Sequence, residues 1–373
     1  MKIHIEPKEF SSKFKLAASV AAARDTRPIL QNVKAKADKK TGVILQATDA
    51  EVGIRIRVDC DVASNGEAIL PTKRLTQILA LTKEERLTLE STGDKAVING
   101  EKSEEYEMNT QSPDEFPDIE EFEETAYHEI PAKALKEMIR RTIFAVDPDN
   151  PRHYLSGVYF EMVGSNISVV ATDGRRLAWQ EGTGNCVNEH HLDKSILPAR
   201  TLQLLERALD DSSIDGDENV KVAVSANRAL FQCKDITLFS RLVEGKFPDW
   251  RRIIPQTDDE TPVVLECAPL LSATLQAQIM TSDLDSGVNF TFEKGKLTLQ
   301  GQGKEIGKSK IEVPISFEEP TMTIKLDPKY MTSFLRVLDA DKVLSFYLPS
   351  DSSPLKVTAD DGGYVYVVMP LSS

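Results

Sequence analysis

The sequence is short of the residues that most chemistry requires. Only five histidines occur in 373 residues: His4, His128, His153, His190 and His191. None falls in the H-E-x-x-H spacing that puts two imidazoles on one helix face. His190 and His191 are adjacent, so neither a helix nor a strand turns them to one side. The four cysteines, Cys60, Cys186, Cys233 and Cys267, are scattered without a C-x-x-C pair. They read as small buried apolar residues, which argues against a zinc site. Glycine-rich phosphate loops are missing, and Asp361-Gly362-Gly363 is a hairpin-turn signal. No stretch approaches the roughly 18 apolar residues of a membrane span. Met1-Lys2-Ile3-His4-Ile5 starts like a strand and lacks the apolar core of a leader peptide. The expectation is a cytoplasmic protein with no membrane partner, no catalytic residue, no metal and no cofactor.

What is present is a globular balance of 40% apolar and 28% charged residues, with a formal net charge of −14. Such a charge argues against broad nucleic-acid binding unless the basic residues gather on one surface. The chain also repeats itself. Ile69-Leu70-Pro71-Thr72-Lys73-Arg74-Leu75 resembles Ile196-Leu197-Pro198-Ala199-Arg200-Thr201-Leu202, and a third copy lies at Ile324-Lys325-Leu326-Asp327-Pro328-Lys329-Tyr330, where Asp327 takes the place of the proline. Leu45-Gln46-Ala47-Thr48-Asp49 resembles Val169-Val170-Ala171-Thr172-Asp173, and Leu299-Gln300-Gly301-Gln302 falls where a third copy belongs. Phe116-Pro117-Asp118 and Phe247-Pro248-Asp249 each lie near the end of a unit. Several landmarks in one order give three units of about 125 residues. The expected domains are 1–127, 128–258 and 259–373.

Each unit follows one plan. A short strand (2–5, 126–130, 263–266) precedes a helix (7–23, 131–144, 269–280). Proline near the start of each helix suits a first turn whose N–H groups lack partners anyway. Alternating strands follow, such as 157–162 and 167–171, then a second helix from the Leu-Pro element and further strands. This pattern is α+β, with antiparallel sheets and helices on one side.

The first helices carry Lys8, Lys13, Lys15 and Arg24, then Lys133, Lys136, Arg140 and Arg141, and the second helices carry Lys73, Arg74, Arg200, Arg207, Lys329 and Arg336. Residues 114–124 and 210–218 are strongly acidic. Helices gathered on one side would therefore make a basic face on an acidic body. They lack interleaved aromatics and a recognition motif, so any contact with DNA is to the backbone. The helix at 269–280 has no basic residue. Asp173 in Thr-Asp-Gly reads as a turn-capping residue, because an aspartic-protease site needs the order Asp-Thr/Ser-Gly.

Four segments point to a family. Ala171-Thr172-Asp173-Gly174-Arg175-Arg176-Leu177-Ala178 resembles the ATDGHRLA signature of the bacterial DNA polymerase III β subunit, the sliding clamp. Phe247-Pro248-Asp249-Trp250-Arg251-Arg252-Ile253-Ile254-Pro255 resembles its FPDYRRVLP element, and Tyr366-Val367-Val368-Met369-Pro370-Leu371 its YVVMP ending. Asn150-Pro151-Arg152-His153-Tyr154-Leu155-Ser156-Gly157 resembles the segment before the second unit's strands.

The resemblance implies three repeated domains of the clamp fold. Two protomers would close head-to-tail into a ring, helices inside and sheets outside, that slides on duplex DNA without reading sequence. It also implies a partner-peptide groove of Thr172, Gly174, Arg175, Arg176, Leu177, Pro248, Arg252, Ile253, Pro354, Val367, Val368, Met369, Pro370 and Leu371. Its expected occupants are the clamp loader, the DNA polymerase III catalytic subunit and other clamp-motif proteins. Arg175 stands where the family has histidine, and Ser372 where it has a basic residue. Both could alter motif preference. The DNA-facing candidates are Arg24, Lys73, Arg152, His153 and Tyr154.

The homodimer interface is expected at Glu104, Glu105 and Tyr106 on one edge and Ile279, Met280, Lys304 and Lys308 on the other. Glu101, Glu107 and Lys310 share these edges. The family is often basic on the first edge and acidic on the second, so the polarity here is inverted yet complementary. A hydrolase of nuclease or deaminase type would need clustered metal ligands, and a sequence-specific repressor would need a recognition helix.

Overall fold

The structure is a computed structural model describing residues 1–22, 26–189, 192–257, 261–282, 286–303, 305–348, 350, 353–359 and 362–371, of which 192 and 193 contribute backbone alone. Six helices occur among the described residues: α1 (Pro7–Val20), α2 (Thr72–Leu81), α3 (Ala132–Ile143), α4 (Ala199–Leu209), α5 (Cys267–Gln278) and α6 (Pro328–Leu335). The chain folds as two compact units. One comprises Met1–Lys136, Gly184–Leu192 and Arg200–Leu242; the other comprises Glu137–Thr183, Asp193–Ala199 and Val243–Ser373.

The helix bounds differ from expectation for a local reason. Pro131 is not the first residue of α3 but the last of the strand Tyr127–Pro131, just as Pro71 ends the strand Gly66–Pro71 ahead of α2. α5 starts two residues before Pro269, which occupies the first turn, where no intrahelical N–H bond is lost. The landmark that precedes the second helices is a helix start. Pro71 is the N-cap of α2, and Asp327 the N-cap of α6, its carboxylate accepting from Lys329 N at 2.8 Å.

In the first unit the face of α1 defined by Phe10, Phe14, Ala17 and Val20 is buried against α2 and the strands Asn32–Asp38, Gly42–Thr48 and Val52–Val58. The spacing of those four residues is the helical period, and each phenylalanine buried this way contributes about 1.5–3 kcal/mol. The strand after the Thr48-Asp49 turn, Val52–Val58, pairs antiparallel with Ile236–Arg241, the last strand of the second repeat, with Ile54 opposite Leu238. A nine-stranded sheet results. A five-stranded sheet ends in Glu105–Asn109, which among the described residues pairs on one side only, with Lys95–Gly100.

The second unit repeats this logic. The strand after the Thr172-Asp173 turn, Arg176–Thr183, pairs antiparallel with Tyr364–Val368, the last strand of the third repeat, with Leu177 opposite Val367. They lie in an eight-stranded sheet. A four-stranded sheet ends in Gly307–Pro314, whose one strand partner among the described residues is Lys296–Gly303, and α5 packs on both of those strands.

Candidate functional site

The Thr172–Arg176 turn is built by its side chains. Thr172 Oγ1 donates to Arg176 O at 2.6 Å and accepts from Gly174 N at 3.0 Å. Asp173 Oδ1 accepts from Arg175 N at 2.8 Å and Arg176 N at 3.0 Å. Gly174 sits at φ +91°, a left-handed conformation that costs a residue with a Cβ about 1–2 kcal/mol. The matching turn in the first unit has the same bonds. Thr48 Oγ1 donates to Val52 O at 2.7 Å, and Asp49 Oδ1 accepts from Glu51 N at 3.0 Å and Val52 N at 2.8 Å. There the left-handed position is Ala50, at φ +77°. Asp173 is thus a capping residue, as its sequence pattern predicts.

Asp173 also holds Arg176. Their side chains are 10% and 11% exposed, with Nε 3.0 Å from Oδ2. Arg176 Nη2 donates to Phe144 O at 2.6 Å, and the guanidinium lies 4.5 Å from the Tyr330 ring centroid. Beneath this ring, Tyr366 donates to Tyr330 O at 3.0 Å, and burial pushes its hydroxyl pKa well above the ordinary value. Arg176 is therefore tethered on several sides, not free to swing onto a ligand.

The apolar part of the site is a cluster of Leu155, Tyr159, Val170, Leu177, Ile196, Phe247, Trp250, Val365 and Val367, with Trp179 and Ile254 against it. The Trp179 and Trp250 rings lie 5.2 Å apart. Leu177, Val367 and Val368 are buried core, whereas Met369 and Ile253 are 42% and 40% exposed. Met369 N donates to Arg175 O at 2.8 Å, extending the sheet to the rim of the turn. Leu371 N donates to Lys325 O at 2.8 Å, and Pro248 and Pro354 are half-buried. Arg252 is open to solvent and paired with Asp249 at 2.9 Å. Arg251 reaches Glu161 and lies over the Trp250 ring at 4.2 Å. Ser372 lies outside the described residues.

Beside the turn is a cavity of about 490 Å³ lined by Val146, Asp147, Asn150, Arg152, Asp173, Arg175, Arg176 and Tyr330. Sequence reasoning assigned no role to Val146, Asp147, Asn150 or Tyr330. Asn150 and Tyr330 stood inside quoted segments, but only folding brings them to the turn. Arg152, a DNA-facing candidate, is exposed, and its Nη2 lies 3.2 Å from where a Cβ on Gly174 would sit.

Lys73 is exposed on α2, His153 is exposed, and Tyr154 is half-buried against the apolar cluster. Arg24 lies outside the described residues. Two helix cations expected on a basic face are instead buried. Lys13 Nζ lies 2.7 Å from Asp211, and Arg141 lies 2.7 Å from Glu137 and 5.2 Å from the Tyr364 ring centroid. Arg200 is 2.7 Å from Asp49, and Lys136 pairs with Asp210.

The edge strand Glu105–Asn109 exposes Glu105, Tyr106 and Glu107, with Glu101 exposed and Glu104 half-buried ahead of it. Gly307–Pro314 exposes Lys308 and Lys310; Ile279, 68% exposed, and half-buried Met280 follow α5. Lys304 lies outside the described residues.

Comparison with known proteins accounts for the repeat, the order of motifs and the described geometry together. Profiles for the DNA polymerase III beta subunit match in sequence: the N-terminal domain at residues 1–120, the central domain at 129–249 and the C-terminal domain at 251–372. The chain belongs to this family. It is a non-catalytic subunit that serves processivity in DNA replication. It is 27% identical to the beta sliding clamp of Pseudomonas aeruginosa and 26% identical to that of Proteus mirabilis, over the full length of each. Among solved structures, a P. aeruginosa sliding clamp bound to griselimycin matches with a TM-score of 0.91 at 26% identity, covering both chains fully. The Bacillus subtilis clamp matches with a TM-score of 0.90 at 25% identity, covering all of this chain and 99% of that one. The three repeats thus carry the clamp fold, α+β with antiparallel sheets and paired helices. No helix among the described residues is long and apolar enough to cross a membrane.

Proposed function

We propose that two copies of this chain close head-to-tail into a ring around duplex DNA, slide along it without sequence preference, and tether polymerases through the groove beside the Thr172–Arg176 turn. One observation carries the ring. In each of the first two repeats, the strand after the Thr-Asp turn is paired with the last strand of the next repeat. That rule leaves two strands with an open edge among the described residues, Gly307–Pro314 of the third repeat and Glu105–Asn109 of the first. A single chain cannot join them without closing on itself, whereas a second copy satisfies both edges twice, by a heterologous contact that a two-fold rotation closes. The edges are complementary: Lys308 and Lys310 on one, Glu104, Glu105 and Glu107 on the other, with Tyr106 and Ile279 as apolar contacts.

In this reading the domains are 1–127, 128–258 and 259–373, and the compartment is the cytoplasm. Lys73 and Arg24 belong to the DNA-facing side. Weak phosphate contacts suit a ring that holds DNA by topology. Leu177, Val367, Met369 and Ile253 offer an adaptable apolar floor to a Leu/Phe-bearing peptide of the polymerase or clamp loader. The test is size-exclusion with light scattering, followed by retention of loader-assembled complexes on circular and linear DNA. A dimer that stays on circles and runs off linear DNA is the expected result. A monomer that binds both forms equally sinks the reading.

A further inference from the structure

One landmark of the repeat has no part in the groove. Leu299-Gln300-Gly301-Gln302 stands where the first two repeats have Leu45-Gln46-Ala47-Thr48 and Val169-Val170-Ala171-Thr172. In those repeats the alanine pairs across the sheet with an apolar residue, Ala47 with Ile54 and Ala171 with Ala178, and all four are buried. In the third repeat the same position pairs Gly301 with Ser309. The missing methyl group lets the end of α5 rest on the strand. A Cβ on Gly301 would sit 2.2 Å from Ala277 O, a backbone atom that no rotamer change can move aside. A Cβ on Gly303 would sit 3.1 Å from Met280 O and 3.2 Å from the Ile306 side chain. Ser309 then bonds both layers. Its hydroxyl donates to Ala277 O at 3.0 Å and accepts from Gly301 N at 3.1 Å. Ala277 lies in the last turn of α5, where carbonyls run out of helical N–H partners. Just beyond it Ile279 is exposed, and so is Ile306 at 51%.

The strand that carries Ser309 has less support than its counterparts. Val52–Val58 and Arg176–Thr183 are each paired on both sides. Gly307–Pro314 holds the same place in the third repeat with one strand partner among the described residues. A strand with an open edge is held by fewer backbone bonds and opens more readily. We infer that Ser309 is a positioning residue for the contact between two copies of this chain. With the seat formed by Gly301 and Gly303, it locks the end of α5 to the edge strand. Ile279, Met280, Ile306 and Gly307–Pro314 then meet the second copy as one preformed surface. The inference rests on the dimer reading above and adds the device that sets the strength of that dimer. A preformed surface loses less freedom on association. Ser309 is half-buried toward α5, whereas its neighbours Lys308 and Lys310 are exposed on the opposite face of the strand. Removing the hydroxyl therefore leaves the charge of the edge as it is.

The test is sedimentation equilibrium on the full-length chain, on Ser309→Ala, on Ile279→Ala and on the double variant. Ser309→Ala removes one hydroxyl and adds no bulk, so the chain folds. Its dimer dissociation constant should rise about fivefold for each contact, and about 25-fold in a ring that makes the contact twice. The double variant separates positioning from general stability. If Ser309 acts through the end of α5, its substitution should lose most of its effect on the Ile279→Ala background. An unchanged dissociation constant in Ser309→Ala overturns this inference and leaves the dimer standing. Strictly additive losses in the double variant also overturn it, because the hydroxyl then acts independently of the helix end. A parent chain that stays monomeric at every concentration overturns the dimer reading itself.

Discussion

At the scale of the residue, the two Thr-Asp turns form a natural controlled pair. Gly174 and Ala50 hold the same left-handed position in turns with the same side-chain bonds. Ala50→Gly should raise stability by about 0.5–1 kcal/mol, and Gly174→Ala should lower it by about 1 kcal/mol or more. The second change also crowds Arg152 Nη2. Urea midpoints check both, and a stabilising Gly174→Ala would show that the turn is not strained.

The Lys13–Asp211 pair gives a pH prediction. Burial pushes the Asp211 carboxyl up, but Lys13 and Ser213 outweigh it and leave its pKa below the ordinary 3.8. A carboxylate with a depressed folded pKa contributes stability that is present above its ordinary value and lost as pH falls through and below it. Asp211→Asn should therefore flatten the loss of stability between about pH 5 and 2, measured by chemical denaturation across that range. At neutral pH, Lys13→Met should cost about 2–4 kcal/mol, because it leaves a buried carboxylate unpaired.

At the scale of the element, the proposed assembly rests on the edge strands. Glu105–Asn109 and Gly307–Pro314 each lack a partner on one side and carry opposite charge. Reversing Glu104 and Glu105 to Lys should weaken the dimer by about tenfold or more at low salt, as repulsion replaces attraction across the contact. Sedimentation velocity reads it, and an undiminished dimer rules out this edge. Adding Lys308→Glu should restore part of the loss. The helices teach the opposite lesson. Their lysines and arginines suggested one basic face, yet Lys13 and Arg141 are buried in ion pairs and Lys136 and Arg200 are paired. A linear sequence records how many cations a helix has, not which of them a neighbouring acid neutralises.

At the scale of the whole molecule, three repeats generate two sutures and leave two ends. The apolar cluster that holds Trp250, with Trp179 packed against it, belongs to the second unit, where strands of the second and third repeats meet. Asp173→Ala should damage this region through the turn that Asp173 caps. It removes two N–H acceptors and leaves the Arg176 guanidinium without its carboxylate. Peptide affinity should fall by about tenfold or more, while the proposed dimer, assigned to other strands, should persist. Anisotropy and light scattering on the same sample separate the two, and loss of the dimer would contradict the separation.

By itself the sequence determined the repeat, the alternation of strands and helices, the helix starts at Pro71 and Asp327, and the Thr-Asp turn. All of these rest on local spacing and on side chains that bond their own backbone a few residues away. The family signature was legible for the same reason, since its residues are contiguous. Only the tertiary structure decided what depends on residues far apart in the chain. It buried Leu177 and Val367 as core while leaving Met369 and Ile253 at the surface. It fixed Arg176 between Asp173 and Tyr330, and placed Arg152 on the wall of a cavity. The physical reason is that burial and ion pairing are properties of neighbours in space, which sheet pairing between repeats supplies and local pattern does not.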